Sequence, residues 1–238
     1  MMMSNLTLLE QTRARVFKTL NEGMHLNVST EESRRLLRTN VNNKRNLITM
    51  FVDMDDSTQM SLSIPDNKFA RLVQCYAQEV TVAALGYGGY VFKYEGDAVI
   101  VLFPANEDDA IACKNALKCS SAILEIIKVM NPIFGAHGLP EISVKIGLTY
   151  GHALIVLYGH DVEKDHIDII GSSISLASKI VSIARPNQVL AGESIYNILR
   201  ASEFIINLME INLDPKNWKY LSRTDPESMY RVYEYIEN

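Results

Sequence analysis

The sequence predicts an α+β protein built on a ferredoxin-like βαββαβ core with a C-terminal extension. Three observations carry that prediction. A continuous apolar run of strand length, "NLITMFVDM", opens the core. The stretch "GGYVFKYEGDAVIVLF" then reads as two strands joined by a tight turn, with helical periodicity before and after it. After the second helical stretch, Ile142, Val144, Ile146 and Leu148 alternate as a strand. Strand, helix, hairpin, helix, strand, with the antiparallel pair in the middle, is the order that lays a sheet under helices on one face.

Taken in chain order, Leu9, Val16, Leu20 and Met24 fall at near-helical spacing, so residues 6–24 predict a short helix. "STEESRRLL" offers a capping box, Ser29 facing Glu32, and predicts a second one. "RTNVNNKRN" is a polar linker, which divides the chain into an N-terminal helical arm and linker, 1–44, and a main domain, 45–238. In that domain the first strand is followed by Pro65 and by Phe69, Leu72, Val73, Tyr76, Val80 and Ala83 at helical spacing, up to Gly86. The hairpin comes next, with its turn at Glu95-Gly96, and Ala110, Cys113, Leu117, Leu124 and Ile127 mark a long helix. After the following strand, "YGH" predicts a turn and "ALIVLYG" a returning strand. "DIIGSSISLASKIVSI" runs from a short strand into a helix, "NQVLAGESIYNIL" adds a strand and helix, and "SMYRVYEYI" a last strand.

Composition narrows the function. At 238 residues and 47% hydrophobic content the chain can bury one sizeable core. With 23 Lys plus Arg against 28 Asp plus Glu, it has no broad basic footprint for nucleic acid or anionic lipid, so an anionic ligand must be met by a few placed groups. Cys75, Cys113 and Cys119 are odd in number and lack C-x-x-C spacing, which suits reduced core thiols in a cytoplasmic protein. No apolar run approaches the ~18 residues of a membrane span. The start, "MMMSNLTLLEQTRAR", lacks the apolar stretch of a signal peptide.

Lys93, Glu95 and Asp97 interrupt the two apolar strands of the hairpin. Asp53 ends the first strand, and Asp97 begins the strand after the turn; neighbouring strands lie roughly 4.8 Å apart. Two carboxylates at adjacent strand ends can hold a pair of divalent cations roughly 3.5 to 4 Å apart, the arrangement that serves phosphoryl transfer. Mg²⁺ favours such hard oxygen ligands together with substrate phosphates. Ordinary polar hairpin chemistry accounts for "EGD" equally well. Spacing alone leaves both readings open.

"FVDMDDST", "VFKYEGDAVIVLF" and "DIIGSSISLASKI", in this order and at these separations, resemble the class III nucleotidyl cyclase catalytic domain, the family of adenylyl and guanylyl cyclases. The resemblance runs from about residue 45 to the C-terminus. It implies that Asp53 and Asp97 are the two metal-binding aspartates, with the Met54 backbone carbonyl a further ligand, for Mg²⁺ or Mn²⁺, two ions per site. Lys93, in K-x-x-G-D, matches the lysine that reads adenine, and Asp168 in "DIIG" the aspartate that reads its amino group. A Lys donor with an Asp acceptor suits adenine, whereas guanine would set a carbonyl against Asp168. Thr58 and the amides after Asp53 would meet phosphate oxygens at a helix entrance. Lys216 and Lys219 in "DPKNWKY" lie where the family presents a triphosphate-binding lysine from a C-terminal hairpin, or else in a solvated turn. The implied activity is that of an adenylate cyclase, ATP to 3′,5′-cyclic AMP and pyrophosphate, in a head-to-tail homodimer. Each site would join Asp53 and Asp97 of one subunit to Lys93, Asp168, Ser175 and Lys179 of the other.

Departures from the family matter as much. In "SISLASK" the usual asparagine is Ser175 and the usual arginine is Lys179. Lys keeps the charge that stabilises the phosphates but loses the planar, multi-donor fork, and a serine hydroxyl cannot span the reach of an amide. Asp56 stands where glycine is frequent. Two other readings follow: a class III cyclase for another nucleotide, GTP or a pyrimidine, and a non-enzymatic nucleotide-sensing or dimerisation module. "EGDAVIVLFP" is also similar to the "GGDEF" hairpin of diguanylate cyclases, but Ala98-Val99 leaves only "GD". His160 and His166 in "HDVEKDH" read as a solvated loop rather than a metal site, and Tyr87, Tyr90 and Phe92 as packing residues.

Overall fold

The computed structural model describes residues 5–24, 30–105, 108–202 and 207–237. Its centre is β1 (Lys44–Met54), paired antiparallel along its whole length with β4 (Val144–Tyr158) and, on the other edge, with β3 (Ala98–Pro104). β2 (Tyr90–Glu95) completes the hairpin with β3, and β5 (His166–Ile170) pairs with the far end of β4. β6 (Gln188–Gly192) runs parallel to β4, and β8 (Val232–Tyr235) and β7 (Leu208–Glu210) extend the sheet beyond it. The strand order is β2-β3-β1-β4-β6-β8-β7, with β5 off this path.

Strand alternation decides what each face meets. Ile48, Met50, Val52 and Met54 of β1 point into the main core with Leu72, Tyr76 and Val80 of α4 (Asp66–Gly86) and Cys113, Ile123 and Ile126 of α5 (Asp109–Ala136). Asp108 starts α5 by accepting the Ala110 and Ile111 amides at 2.8 and 3.0 Å. The sheet is covered on both faces, where helices on one face were expected. α2 (Glu31–Arg38) and α6 (Ser172–Ile183) lie on the other side, over Leu47, Phe92, Ile100, Leu102, Ala153 and Ile155. The reason is legible in β1 and β3: unbroken apolar runs are what a strand needs when it is buried twice. Ser29, expected to cap the second helix, lies outside the described residues; Thr30 occupies the cap position without a side-chain bond.

Two local expectations change. The hairpin turn is Gly96-Asp97 rather than Glu95-Gly96, since Glu95 pairs with Ala98 and Gly96 takes φ +64°. No turn exists at Tyr150-Gly151-His152: β4 runs straight through it, in register from Lys44↔Leu154 to Met54↔Val144. Its glycines serve close packing instead. A Cβ on Gly147 would come within 2.5 Å of the Val181 amide nitrogen, and one on Gly151 within 2.9 Å of Ser173 Cβ, so both let α6 sit directly on the strand.

The N-terminal helix α1 (Asn5–Glu22) shares the main core through Leu8, Val16 and Leu20. It is also bonded to α4: Arg15 Nη2 lies 2.6 Å from Glu79 Oε2, and Thr12 donates to the same oxygen at 2.9 Å. By length and composition α5 is apolar enough to cross a membrane, where no such run was expected, yet Leu117, Ile127 and Phe134 place it in the protein core. Cys75, Cys113 and Cys119 are buried free thiols, and burial pushes Cys75 and Cys113 up to about 12. α7 (Glu193–Ala201) packs on α5, and its Ile195 and Leu199 join the same main core.

Candidate active site

Alternation along β1 turns Asp53 away from the main core that Val52 and Met54 enter. Asp97 comes from the hairpin turn, beside the end of the β1–β3 ladder at Val52↔Val99. Their proximity is visible in the electrostatics of Asp53. Burial, and after it the charge of Asp97, hold the Asp53 carboxyl above its ordinary range, while Lys145 opposite it on β4 pulls the other way. Lys145 Nζ is itself 2.6 Å from Asp55 Oδ1. Behind the site, the buried Tyr76 hydroxyl donates to the Val52 carbonyl at 2.9 Å and fixes the strand next to Asp53.

Divalent cations fit this arrangement. Among the described residues no three His, Cys, Asp or Glu side chains converge on one point. A cation here would take Asp53, Asp97 and a main-chain carbonyl such as that of Met54, whose side chain is buried, and complete its shell from phosphate and water. The Asp53 carboxylate, held above its ordinary range by burial and by the neighbouring Asp97 charge, is stabilised by such a cation beside it. Asp56 follows in the left-handed conformation, φ 55°, immediately before α3 (Ser57–Ser63), which accounts for glycine being frequent there and for Asp being tolerated. Thr58 is exposed in the first turn of that helix.

A second cluster lies on β2 and β5. A bulge between Val91 and Lys93 sets Lys93 opposite Ile100, on the face away from the main core. α2 supports it: Ser33 donates to the Val91 carbonyl at 2.6 Å and Leu37 packs with Phe92. Lys93 Nζ stands 3.7 Å from Asp168 Oδ2 and 5.2 Å from the Phe92 ring centroid. Asp168 Oδ1 accepts the Ile169 amide at 2.8 Å, which fixes the carboxylate. A cleft of about 300 Å³ opens beside the pair, lined by Phe92, Lys93, His166, Arg34 and Leu37 among others.

The structure thus brings Asp53 to Asp97 and Lys93 to Asp168. Among the described residues no hydrogen bond or ion pair joins these two clusters. Ser175 and Lys179 sit one turn apart on the solvent side of α6, and among the described residues the Ser175 hydroxyl reaches the Gly171 carbonyl alone, at 3.4 Å. Lys216 and Lys219 are exposed on either side of the buried Trp218, whose Nε1 donates to the Tyr230 carbonyl at 2.7 Å. An isolated bridge, Leu221↔Met229, stands in place of a regular hairpin there. Lys145 was not singled out in the sequence, and His166, read there as part of a solvated loop, opens strand β5 and stands 3.6 Å from Asp168 Oδ2. Each had a signal: Lys145 is the polar member of an alternating strand, and His166 is two residues from Asp168 on β5.

A sequence model of the adenylate and guanylate cyclase catalytic domain matches residues 39–220. An adenylate cyclase of Anabaena cylindrica is 27% identical over 191 residues, 79% of this chain and 37% of that protein. A cytidylate cyclase of Staphylococcus aureus is 26% identical over 168 residues, 67% of this chain and 39% of that protein. The chain therefore spans well under half the length of these two relatives. Among solved structures, the crystal structure of the adenylyl cyclase CyaB from P. aeruginosa superposes with a TM-score of 0.70 at 20% identity, over 82% of this chain and 96% of that one.

Proposed function

Since the chain belongs to the family of adenylate and guanylate cyclase catalytic domains, matched over 39–220, we propose that it is a nucleotidyl cyclase converting ATP to 3′,5′-cyclic AMP and pyrophosphate in a homodimer. The observation that carries the proposal is the division of the motif residues within one chain. The carboxylates Asp53 and Asp97 form one group and the donor–acceptor pair Lys93 and Asp168 another, 3.7 Å apart within that pair. Two half-sites of this kind are complementary when a second copy is turned to face the first.

In the reaction the ribose 3′-oxygen bonds to the α-phosphorus, the bond to the oxygen bridging the β-phosphate breaks, the 3′ proton passes to water, and pyrophosphate leaves. When bound, two Mg²⁺ or Mn²⁺ ions held by Asp53, Asp97 and the Met54 carbonyl supply acidity to the 3′-hydroxyl and charge to the triphosphate. Lys93 donates to a ring nitrogen of adenine, and Asp168 accepts from its amino group. Lys179 offers a positive charge to the phosphates as charge develops, and Ser175 a hydroxyl to the ribose. Thr58 on one side, with Lys216 and Lys219 on the other, would hold phosphate oxygens. No side-chain nucleophile is needed, because positioning and electrostatics carry such transfers.

A second reading is supported by the same pair. Cytosine also presents a ring-nitrogen acceptor beside an amino donor, and one relative acts as a cytidylate cyclase. Mass spectrometry of products from ATP, GTP, CTP and UTP with either metal decides between them. The shared site has its own test. Asp97→Ala and Asp168→Ala chains should each be inactive, and mixing them should restore turnover through heterodimers with one intact site. No recovery in heterodimers confirmed by mass would overturn the dimeric site.

A further inference from the structure

We propose that His166 is a specificity-determining residue, forming with Lys93 and Asp168 a donor–acceptor–donor row that reads adenine at N1, N6 and N7 together. Among pyrimidines, the same row fits uracil better than cytosine. The inference deepens the proposed function and rests on its reading of Lys93 and Asp168 as the base-recognising pair.

The geometry begins with β5, where residues two apart share a face, so His166 and Asp168 project together. Asp168 Oδ1 is committed to the Ile169 amide at 2.8 Å, so the carboxylate presents Oδ2. Lys93 Nζ lies 3.7 Å from that oxygen and His166 Nε2 lies 3.6 Å from it. Both distances exceed the roughly 2.7–3.2 Å of an N–H···O bond, so each donor is attracted without being saturated and keeps hydrogens for a ligand. Lys93 and His166 both line the cleft of about 300 Å³, with the Phe92 ring as an apolar wall. The His166 side chain is 69% exposed and its ring lies 5.9 Å from that of the exposed Tyr158, so it stands on the surface rather than in the core.

A central acceptor flanked by two donors calls for a base edge with a central donor flanked by two acceptors. Adenine has it: the N6 amino group stands between N1 and N7, both acceptors. Uracil has it too, with N3–H between two carbonyls. Cytosine's amino group has an acceptor on one side only and leaves His166 unmatched. Guanine sets its own amino donor against one of the flanking donors. Lys93 and Asp168 alone admit cytosine as readily as adenine; His166 removes that ambiguity.

The test uses ATP and 7-deaza-ATP, which replaces N7 by carbon, with the full chain and its His166→Ala and His166→Gln variants. Both kcat/KM and Kd are measured. The wild-type protein should favour ATP by about fivefold, the worth of one neutral hydrogen bond. His166→Ala should lose that factor on ATP and treat the two nucleotides alike, while His166→Gln, with an amide donor, should recover part of the preference. In competition, UTP should bind the wild-type chain more tightly than CTP, and His166→Ala should not distinguish them. A wild-type protein indifferent to N7, a His166→Ala variant that still discriminates, or no ATP binding at all would each overturn the proposal. Absence of cyclic product from every nucleotide would instead sink the cyclase reading, with the Kd comparison still deciding the role of His166.

Discussion

Arg15→Ala isolates the join between α1 and the rest of the domain. Glu79 is fully buried, and Arg15, only 18% exposed, is its cationic partner, with Nε at 3.0 and Nη2 at 2.6 Å from its oxygens. Thr12 at 2.9 Å and Gln78 at 3.1 Å complete the shell. Removing one member of a buried pair strands the other charge, which costs about 3 to 5 kcal/mol. Two neutral hydrogen bonds remain to Glu79 and the guanidinium side is partly open to water, so the lower end applies. The loss of about 3 kcal/mol is a large share of the ~5–15 kcal/mol that holds an ordinary domain together. Urea unfolding followed by circular dichroism should show the midpoint falling with little change in slope. Replacing both partners, Arg15→Met with Glu79→Leu, should recover most of the loss, because no charge is then stranded. The effect should also persist in high salt, as exposed pairs do not. A loss under ~1 kcal/mol for Arg15→Ala would mean that Glu79 is already wetted and that α1 does not dock as described.

Asp97→Asn separates stability from activity. The folded Asp53 carboxyl binds its proton more tightly than an unfolded one, so the folded state carries more protons and stability falls as pH rises from 3.8 through the raised value. Taking away the Asp97 charge lowers Asp53 towards normal; the metal-free variant should therefore be more stable at neutral pH, with a shallower fall, while making no product. A less stable variant by thermal melting at neutral pH would contradict the repulsion. Ser175→Asn with Lys179→Arg should raise kcat several-fold and shift KM less, since an amide and a planar guanidinium add contacts that strengthen in the transition state. Both positions are exposed on α6, so the melting temperature should hold. A folded double variant with lower kcat would mean the pocket is built around Ser and Lys for another nucleotide.

Much of the fold was legible because its signals are local. The period-two pattern of Ile142 to Leu148, the apolar runs of β1 and β3, and the helical spacing of Leu72, Tyr76 and Val80 each state one element. The glycines of β4 were not legible, because Gly151 before His152 carries the same letters whether it bends a chain or receives a helix. Only the approach of Ser173 and Val181 tells the two apart. Motif and order singled out Asp53, Asp97, Lys93 and Asp168 as candidates, and the structure brings them together as two pairs. The place of His166 beside the second pair was not legible, because it depends on β5 being a strand and on where Lys93 arrives from β2, which lies far away in sequence.

The bare stretch of β4 under α6 separates what holds the helix from what the helix displays. Because Val181 backbone rests where a Gly147 side chain would be, the helix is seated by main chain against main chain, and its seat does not depend on which residues it turns outward. Positions 175 and 179 are then free to be exchanged without unseating the scaffold. A lineage could try Asn or Ser, Arg or Lys, at those two places at little structural risk, so altered chemistry there is compatible with an unaltered frame.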